Sequence, residues 1–221
     1  MCHDAKASTG GISINDLLLG GPNLTNSLAS ILLSFRAKRY VFTTDISAFF
    51  HQVYLDEPDI DSFRYLWFSD RTMKSVQMKR FLSHIFGSVA SSFVTSYCLR
   101  RHAETCQGRF PENVIRTISE EFYVDDGQGG EDDLDDAIQL KDNLIAAMRS
   151  GGFDLSKWKG NHPKLAQADS SKVKESDILD DTIVKVLGVQ WNPRADHFIF
   201  SVDLSNVSPG DDAKTASVGP E

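Results

Sequence analysis

Two apolar segments of this chain each end abruptly in aspartate, and that pattern limits its folding more than any other feature. Arg39-Tyr-Val-Phe-Thr-Thr-Asp45 is rich in β-branched and aromatic residues and stops at one acid; a second segment runs into Phe122-Tyr-Val-Asp125-Asp126-Gly127 and stops at two. Runs of this composition read as strands, the second covering 117–124. The Asp-Gly step reads as a tight turn joining strands. If the two strands are neighbours in one sheet, all three carboxylates converge. Converging carboxylates repel and hold protons more tightly than isolated ones. A divalent cation relieves the repulsion, and Mg²⁺ favours a few carboxylates completed by water and phosphate oxygens. Two adjacent aspartates in a turn are by themselves ordinary turn residues, so the remaining pattern decides.

Leu28, Ile31, Leu32 and Phe35 recur at helical spacing and predict a helix over 24–36, capped by Asn23 or Thr25. Residues 61–68 and 75–79 read as a strand pair turning at Asp70-Arg71, and Gly87 precedes a helix over 89–105 marked by Val94, Tyr97, Cys98 and Arg101. A further helix spans 133–150, with Leu134, Ile138, Ile145 and Met148 as its apolar stripe and Gly151-Gly152 as its end. The acidic run over 131–136 suits the positive end of that helix's dipole. Short strands follow over 183–189 and 197–202; residues 1–22 read as loop with one short element, and 203–221 as a disordered tail. The order of elements predicts an α+β fold, helices packed on one face of an antiparallel sheet.

With 221 residues and 41% hydrophobic content, the chain supports one well-formed core. No apolar stretch is long enough to span a bilayer, and the first residues do not read as a signal peptide. Cys2, Cys98 and Cys106 form no metal-binding spacing, which fits a reducing, intracellular setting. A net charge of −8 argues against a simple nucleic-acid binder. Local basic pairs such as Lys79-Arg80, Arg100-Arg101 and Lys157 with Lys159 follow a phosphate backbone or form solvated faces. His51 and His84 lack metal partners at suitable spacing and read as local hydrogen-bonding groups.

Taken together the segments resemble the reverse transcriptases of LTR retrotransposons, most closely the BEL/Pao group. Tyr123-Val124-Asp125-Asp126 is similar to motif C, Tyr-x-Asp-Asp, and Asp45-Ile46 with Phe50-His51-Gln52-Val53 is similar to motif A. Phe86-Gly87 with Ala90-Ser91-Ser92-Phe93 resembles motif B, and Phe153-Asp-Leu-Ser-Lys157-Trp158-Lys159-Gly-Asn161 resembles motif D. Val186-Leu187-Gly188-Val189-Gln190-Trp191-Asn192 resembles the primer grip, motif E, and Asp4-Ala5 with Ser13-Ile14-Asn15-Asp16 resembles the end of a fingers segment. The resemblance implies a polymerase palm with a ferredoxin-like core over 41–202 and partial fingers over 1–40. It implies that Asp45, Asp125 and Asp126, with the Ile46 carbonyl, hold two Mg²⁺ or Mn²⁺ ions. Phe50 would be the steric gate against ribonucleotides, supported by Gln52. Gly87 would let the backbone approach the nucleotide, and Lys157 or Lys159 would act on the leaving pyrophosphate. Gly188 and Trp191 would contact the primer end, core packing being the alternative for Trp191. The implied partners are an RNA or DNA template-primer, deoxynucleotides and the rest of a retroelement polyprotein. The implied location is cytoplasm, virus-like particle or nucleus, with no membrane.

Three departures from the family pattern set expectations. The chain starts after the basic fingers residues, it ends soon after the primer grip without thumb or RNase H, and Ser92 stands where the group has proline. Two functions follow: an active RNA-directed DNA polymerase domain, or a catalytically inactive, truncated remnant binding nucleic acid or protein. An unrelated metal-dependent phosphohydrolase would show neither gate aromatic nor primer grip.

Overall fold

The structure, a computed structural model, describes residues 4–8, 10–69, 72–173 and 182–200. Its centre is a four-stranded antiparallel sheet in the order β4-β5-β1-β6, made of β1 (Tyr40–Ile46), β4 (Phe122–Tyr123), β5 (Asp126–Glu131) and β6 (Leu155–Gly160). Strands β2 (Arg64–Phe68) and β3 (Val76–Arg80) form a separate hairpin, and β7 (Val184–Val186), β8 (Val189–Asn192) and β9 (His197–Ile199) form a three-stranded sheet. The helices are α1 (Ile14–Leu17), α2 (Leu28–Ala37), α3 (Glu57–Ile60), α4 (Ser91–Cys106), α5 (Glu112–Glu120) and α6 (Leu134–Ser150). The expected α+β fold with an antiparallel sheet is what the chain adopts. No helix among the described residues is long and apolar enough to cross a membrane.

Alternation along β1 sorts the two faces of the sheet. Phe42 and Ile46 point to one side and join Leu99, Ile118, Leu144 and Met148, so that α4, α5 and α6 cover that face. Val41 points to the other side and packs with Phe35 of α2 and with Val186 and Trp191 of the small sheet. Strand β5 carries glycine where the first face is crowded. A Cβ on Gly127 would lie 2.3 Å from the Phe122 ring, and one on Gly129 would lie 2.5 Å from the Phe42 ring. The glycines thus make room for the aromatic floor of the core.

Several boundaries differ from expectation. The strand expected over 117–124 is helix through Glu120, and only Phe122 and Tyr123 are extended. Pro111 precedes the helix, while Val114, Ile115 and Ile118 fall on one buried face; tertiary burial overrides the β-branched preference of Thr117-Ile118. The cap of α2 is Ser27, which accepts from the Ser30 N–H, rather than Asn23 or Thr25. The buried face of α6 runs through Ala137, Leu140, Lys141, Leu144, Ala147 and Met148, so the expected Leu134-Ile138-Ile145 stripe lies at its margin. The acidic run is divided between two tasks. Asp133 caps α6, while Glu131 and Asp132 pair with Lys38 at 3.4 and 3.2 Å. The turn at Asp70-Arg71 and the tail over 203–221 lie outside the described residues.

Candidate active site

Strands β1 and β5 lie side by side, and Asp45 and Asp126 are cross-strand partners at the end of the ladder. The turn between β4 and β5 is Val124-Asp125, because Tyr123 already pairs with Asp126 and Phe122 with Gly127. The Asp126-Gly127 step therefore belongs to the strand, and the turn lies two residues before it. Val124 takes φ +58°, a left-handed conformation that a β-branched residue adopts at a cost of about 1–3 kcal/mol. The Ile46 N–H donates to the Asp125 carbonyl at 2.8 Å and ties this strained turn to the end of β1. Three carboxyl-bearing residues are thereby brought to one end of the two central strands.

A bulge in β6 supplies the cation facing them. Thr43 pairs with Lys159 and Asp45 with Ser156, so two residues of β6 oppose the single Thr44. Lys157, at φ +54°, is re-aimed by this extra residue. Its Nζ donates to Asp45 Oδ2 at 2.9 Å, from a side chain that is otherwise exposed. The Thr44 hydroxyl donates to the Ser156 carbonyl and the Ser47 hydroxyl to the Ser156 hydroxyl, bracing the bulge. The hydrogen bond to Asp45 raises the Lys157 pKa, so the ammonium is secure at neutral pH.

The carboxyls of Asp125 and Asp126 are both raised above the ordinary aspartate value of 3.8, first by desolvation and then by neighbouring acids: Asp45 for Asp125, and Asp125 with Asp45 for Asp126. The folded chain therefore binds more protons than the unfolded chain between the ordinary and the raised value. Stability falls as pH rises through that window. Asp126→Asn is expected to unfold at a higher temperature than wild type at neutral pH without divalent ions, and the gap is expected to shrink in mild acid. Thermal denaturation followed by circular dichroism checks this. A lower melting temperature for the variant at neutral pH would count against crowding of the acids.

Among the described residues, no group of three or more His, Cys, Asp or Glu side chains is arranged so as to hold a metal ion. The carboxylates nevertheless fit Mg²⁺ in the manner in which that ion is held with substrates: one or two protein carboxylates, the remaining positions filled by water and phosphate. Asp45 with Asp125 or Asp126 offers that donor set, with Lys157 now engaging one Asp45 oxygen.

The other expected residues divide. Phe50 is 7% exposed and lies edge-on to Phe86 at 4.5 Å, which covers it. Gln52 donates from Nε2 to the Ser47 carbonyl at 2.9 Å and braces the turn after β1. Gly87, at φ +88°, and Gly188, at φ +87°, are exposed at loops before α4 and between β7 and β8. Trp191 is fully buried; its ring meets Phe35 edge-on at 5.0 Å and its Nε1–H donates to Asp196. It has no surface to offer a primer and serves as core, the alternative its apolar bulk already suggested. His84 is buried beside the Ser91 hydroxyl, consistent with a local hydrogen-bonding role. A cavity of about 230 Å³ adjoins the acids, lined by Asp45, Asp126, Gln128, Lys157 and Lys159 and closed by β7. A larger hollow of about 590 Å³ lies between α1 and the β2–β3 hairpin, but none of the three acids lines it. The residues given no individual role from sequence are Phe86 and Asn15, each quoted there only as part of a motif.

No family model matches this chain, and no curated protein matches it. Among solved structures, it superposes on the foamy viral protease-reverse transcriptase in complex with double-stranded DNA, with a TM-score of 0.55 and 14% identity. The match covers 82% of this chain and 26% of the viral one, so the chain spans about a quarter of that protein's length. At this identity the likeness shows a shared, reverse-transcriptase-like fold.

Proposed function

We propose that this chain is the palm-centred part of an RNA-directed DNA polymerase from a retroelement polyprotein of the BEL/Pao kind. Its reaction joins deoxynucleotides to the 3′-hydroxyl of a primer on an RNA or DNA template. The observation that carries the reading is the pairing of Asp45 with Asp126 on adjacent strands, with Asp125 at the turn beside them. Asp45, Asp125 and Asp126, with the Ile46 carbonyl, are the groups that would hold two Mg²⁺ or Mn²⁺ ions. When bound, such ions activate the attacking hydroxyl and stabilise the charge of the leaving pyrophosphate.

The chain's own residues then act mainly by position, as phosphoryl transfer requires. Lys157 exchanges its contact with Asp45 for the leaving phosphates, where an ammonium offsets charge or gives up a proton. Phe50, packed against Phe49 and Phe86, is the residue that would exclude a 2′-hydroxyl. Gln52 holds Ser47 and with it the turn beneath that ring. Gly188 lets the β7–β8 turn approach a primer backbone without a side chain intervening.

The Lys157–Asp45 ion pair also favours a second reading, a non-catalytic remnant in which the lysine stands permanently in place of a cation. Extension of a labelled DNA primer on an RNA template separates the two. The polymerase reading expects extension with Mg²⁺ or Mn²⁺, its loss on chelation, and a preference for deoxynucleotides over ribonucleotides. Binding of the template-primer without extension under either ion would overturn it in favour of the remnant.

A further inference from the structure

Asn15 joins the N-terminal segment to the loop that precedes α4. It sits on α1, a single turn fixed by Asp16, whose carboxylate accepts from the Ser13 N–H at 2.8 Å and the Ser13 hydroxyl at 2.7 Å. The Asn15 N–H donates to the Ala5 carbonyl at 3.3 Å and secures the turn from the other side. From this platform the side-chain amide crosses to residues more than seventy positions away. Nδ2 donates to the Gly87 carbonyl at 2.8 Å, and Oδ1 accepts from the Val89 N–H at 3.0 Å. Both arms of one amide therefore close on the backbone on either side of Ser88, using its donor and acceptor together.

The loop needs such support. Gly87 is in a left-handed conformation, and Ala90, at the cap position of α4, offers no side-chain cap. The segment after α1 continues along the same surface: a Cβ on Gly20 would touch Val89, and one on Gly21 would enter the Phe93 ring. On its other side the loop carries Phe86, whose ring covers Phe50 at 4.5 Å.

We infer that Asn15 is a positioning residue. It fixes the Gly87–Val89 backbone and, through Phe86, the packing on Phe50, the side chain that the polymerase reading sets against the nucleotide sugar. The link to the nucleotide rests on the polymerase reading; the latch itself does not.

The test uses the full chain with Asn15→Ala, which removes both arms, and the isosteric Asn15→Asp, which keeps the acceptor for Val89 but turns a carboxylate toward the Gly87 carbonyl. Amide exchange at Val89 is expected to speed up about tenfold or more in Asn15→Ala, the loss of one net hydrogen bond, and less in Asn15→Asp. The deoxynucleotide KM is expected to rise about tenfold in both variants with kcat changed less than about threefold, since the loop shapes binding while the acids are untouched. A merely structural role would lower the active fraction, and so kcat, and leave KM alone. Unchanged exchange at Val89, or faster exchange with an unchanged KM in an active enzyme, would overturn the inference. If Asn15→Ala fails to fold, Asn15→Asp carries both measurements. A wild type that extends no primer sinks the polymerase reading and the nucleotide link with it, while the exchange measurement still decides the latch.

Discussion

Replacing Asp45 with asparagine is expected to lower the rate of metal-dependent primer extension about a thousandfold, because several kcal/mol of charge stabilisation depend on the lost carboxylate. Asp45 is central in the geometry. It is the cross-strand partner of Asp126, its charge raises the carboxyls of both Asp125 and Asp126, and it alone holds Lys157. Asparagine keeps the shape and a hydrogen-bonding oxygen, so the fold and the Lys157 contact are largely retained while the anion is lost. Asp126→Asn, at an exposed position on the next strand, is expected to cost less, about a hundredfold, because one carboxylate at the edge contributes less than the shared one. Initial rates on one RNA template, with circular dichroism to confirm folding, give the comparison. Equal rates for wild type and Asp45→Asn would remove the basis for the metal reading. A loss accompanied by unfolding would be excluded by the spectra.

The positions of Asp45 and Asp125 were legible in the sequence because each follows an apolar, strand-forming run, whereas Asp126 opens the next strand. Strand β1 was legible for the same reason: Tyr40 to Ile46 alternates between two buried faces and carries the residues that strands favour. Strand β5 was not, since Asp-Gly-Gln-Gly-Gly is poor strand sequence. Its glycines answer to the Phe122 and Phe42 rings that lie over them, a demand visible only once the strands are paired. The end of α5, residues 117–120, was read as strand because Thr117 and Ile118 are β-branched and lead into the Phe122-Tyr123 run, while the helical spacing spans only nine residues. The bulge that re-aims Lys157 depends on a register between β1 and β6 set by residues more than a hundred positions apart. Asn15 has no local signature either, since an amide bonding backbone looks like any other asparagine until its partner is in place.

Lys141→Met is expected to destabilise the chain by about 3 kcal/mol, since each buried acceptor left without a donor costs about 1–3 kcal/mol. Lys141 sits on α6 with no exposed side chain, and burial pushes its pKa down. Its charge persists because acceptors surround it: Nζ donates to the Lys164 and Gln167 carbonyls, each at 2.7 Å, and to the Ser170 hydroxyl, with the Trp158 ring 5.9 Å away. Methionine fills similar volume but leaves two carbonyls and a hydroxyl without a donor, so packing is preserved and hydrogen bonding is not. Those acceptors lie in the segment that folds back onto α6 after β6. Asn161 fastens the start of that segment to β1, its amide donating to the Arg39 carbonyl at 2.7 Å and accepting from the Val41 N–H at 2.9 Å. Loosening the segment therefore acts on the strand whose bulge presents Lys157 to Asp45. Urea unfolding of both proteins measures the loss, and a difference below about 1 kcal/mol would mean that the freed carbonyls find water, so that the ammonium is not what holds this segment down.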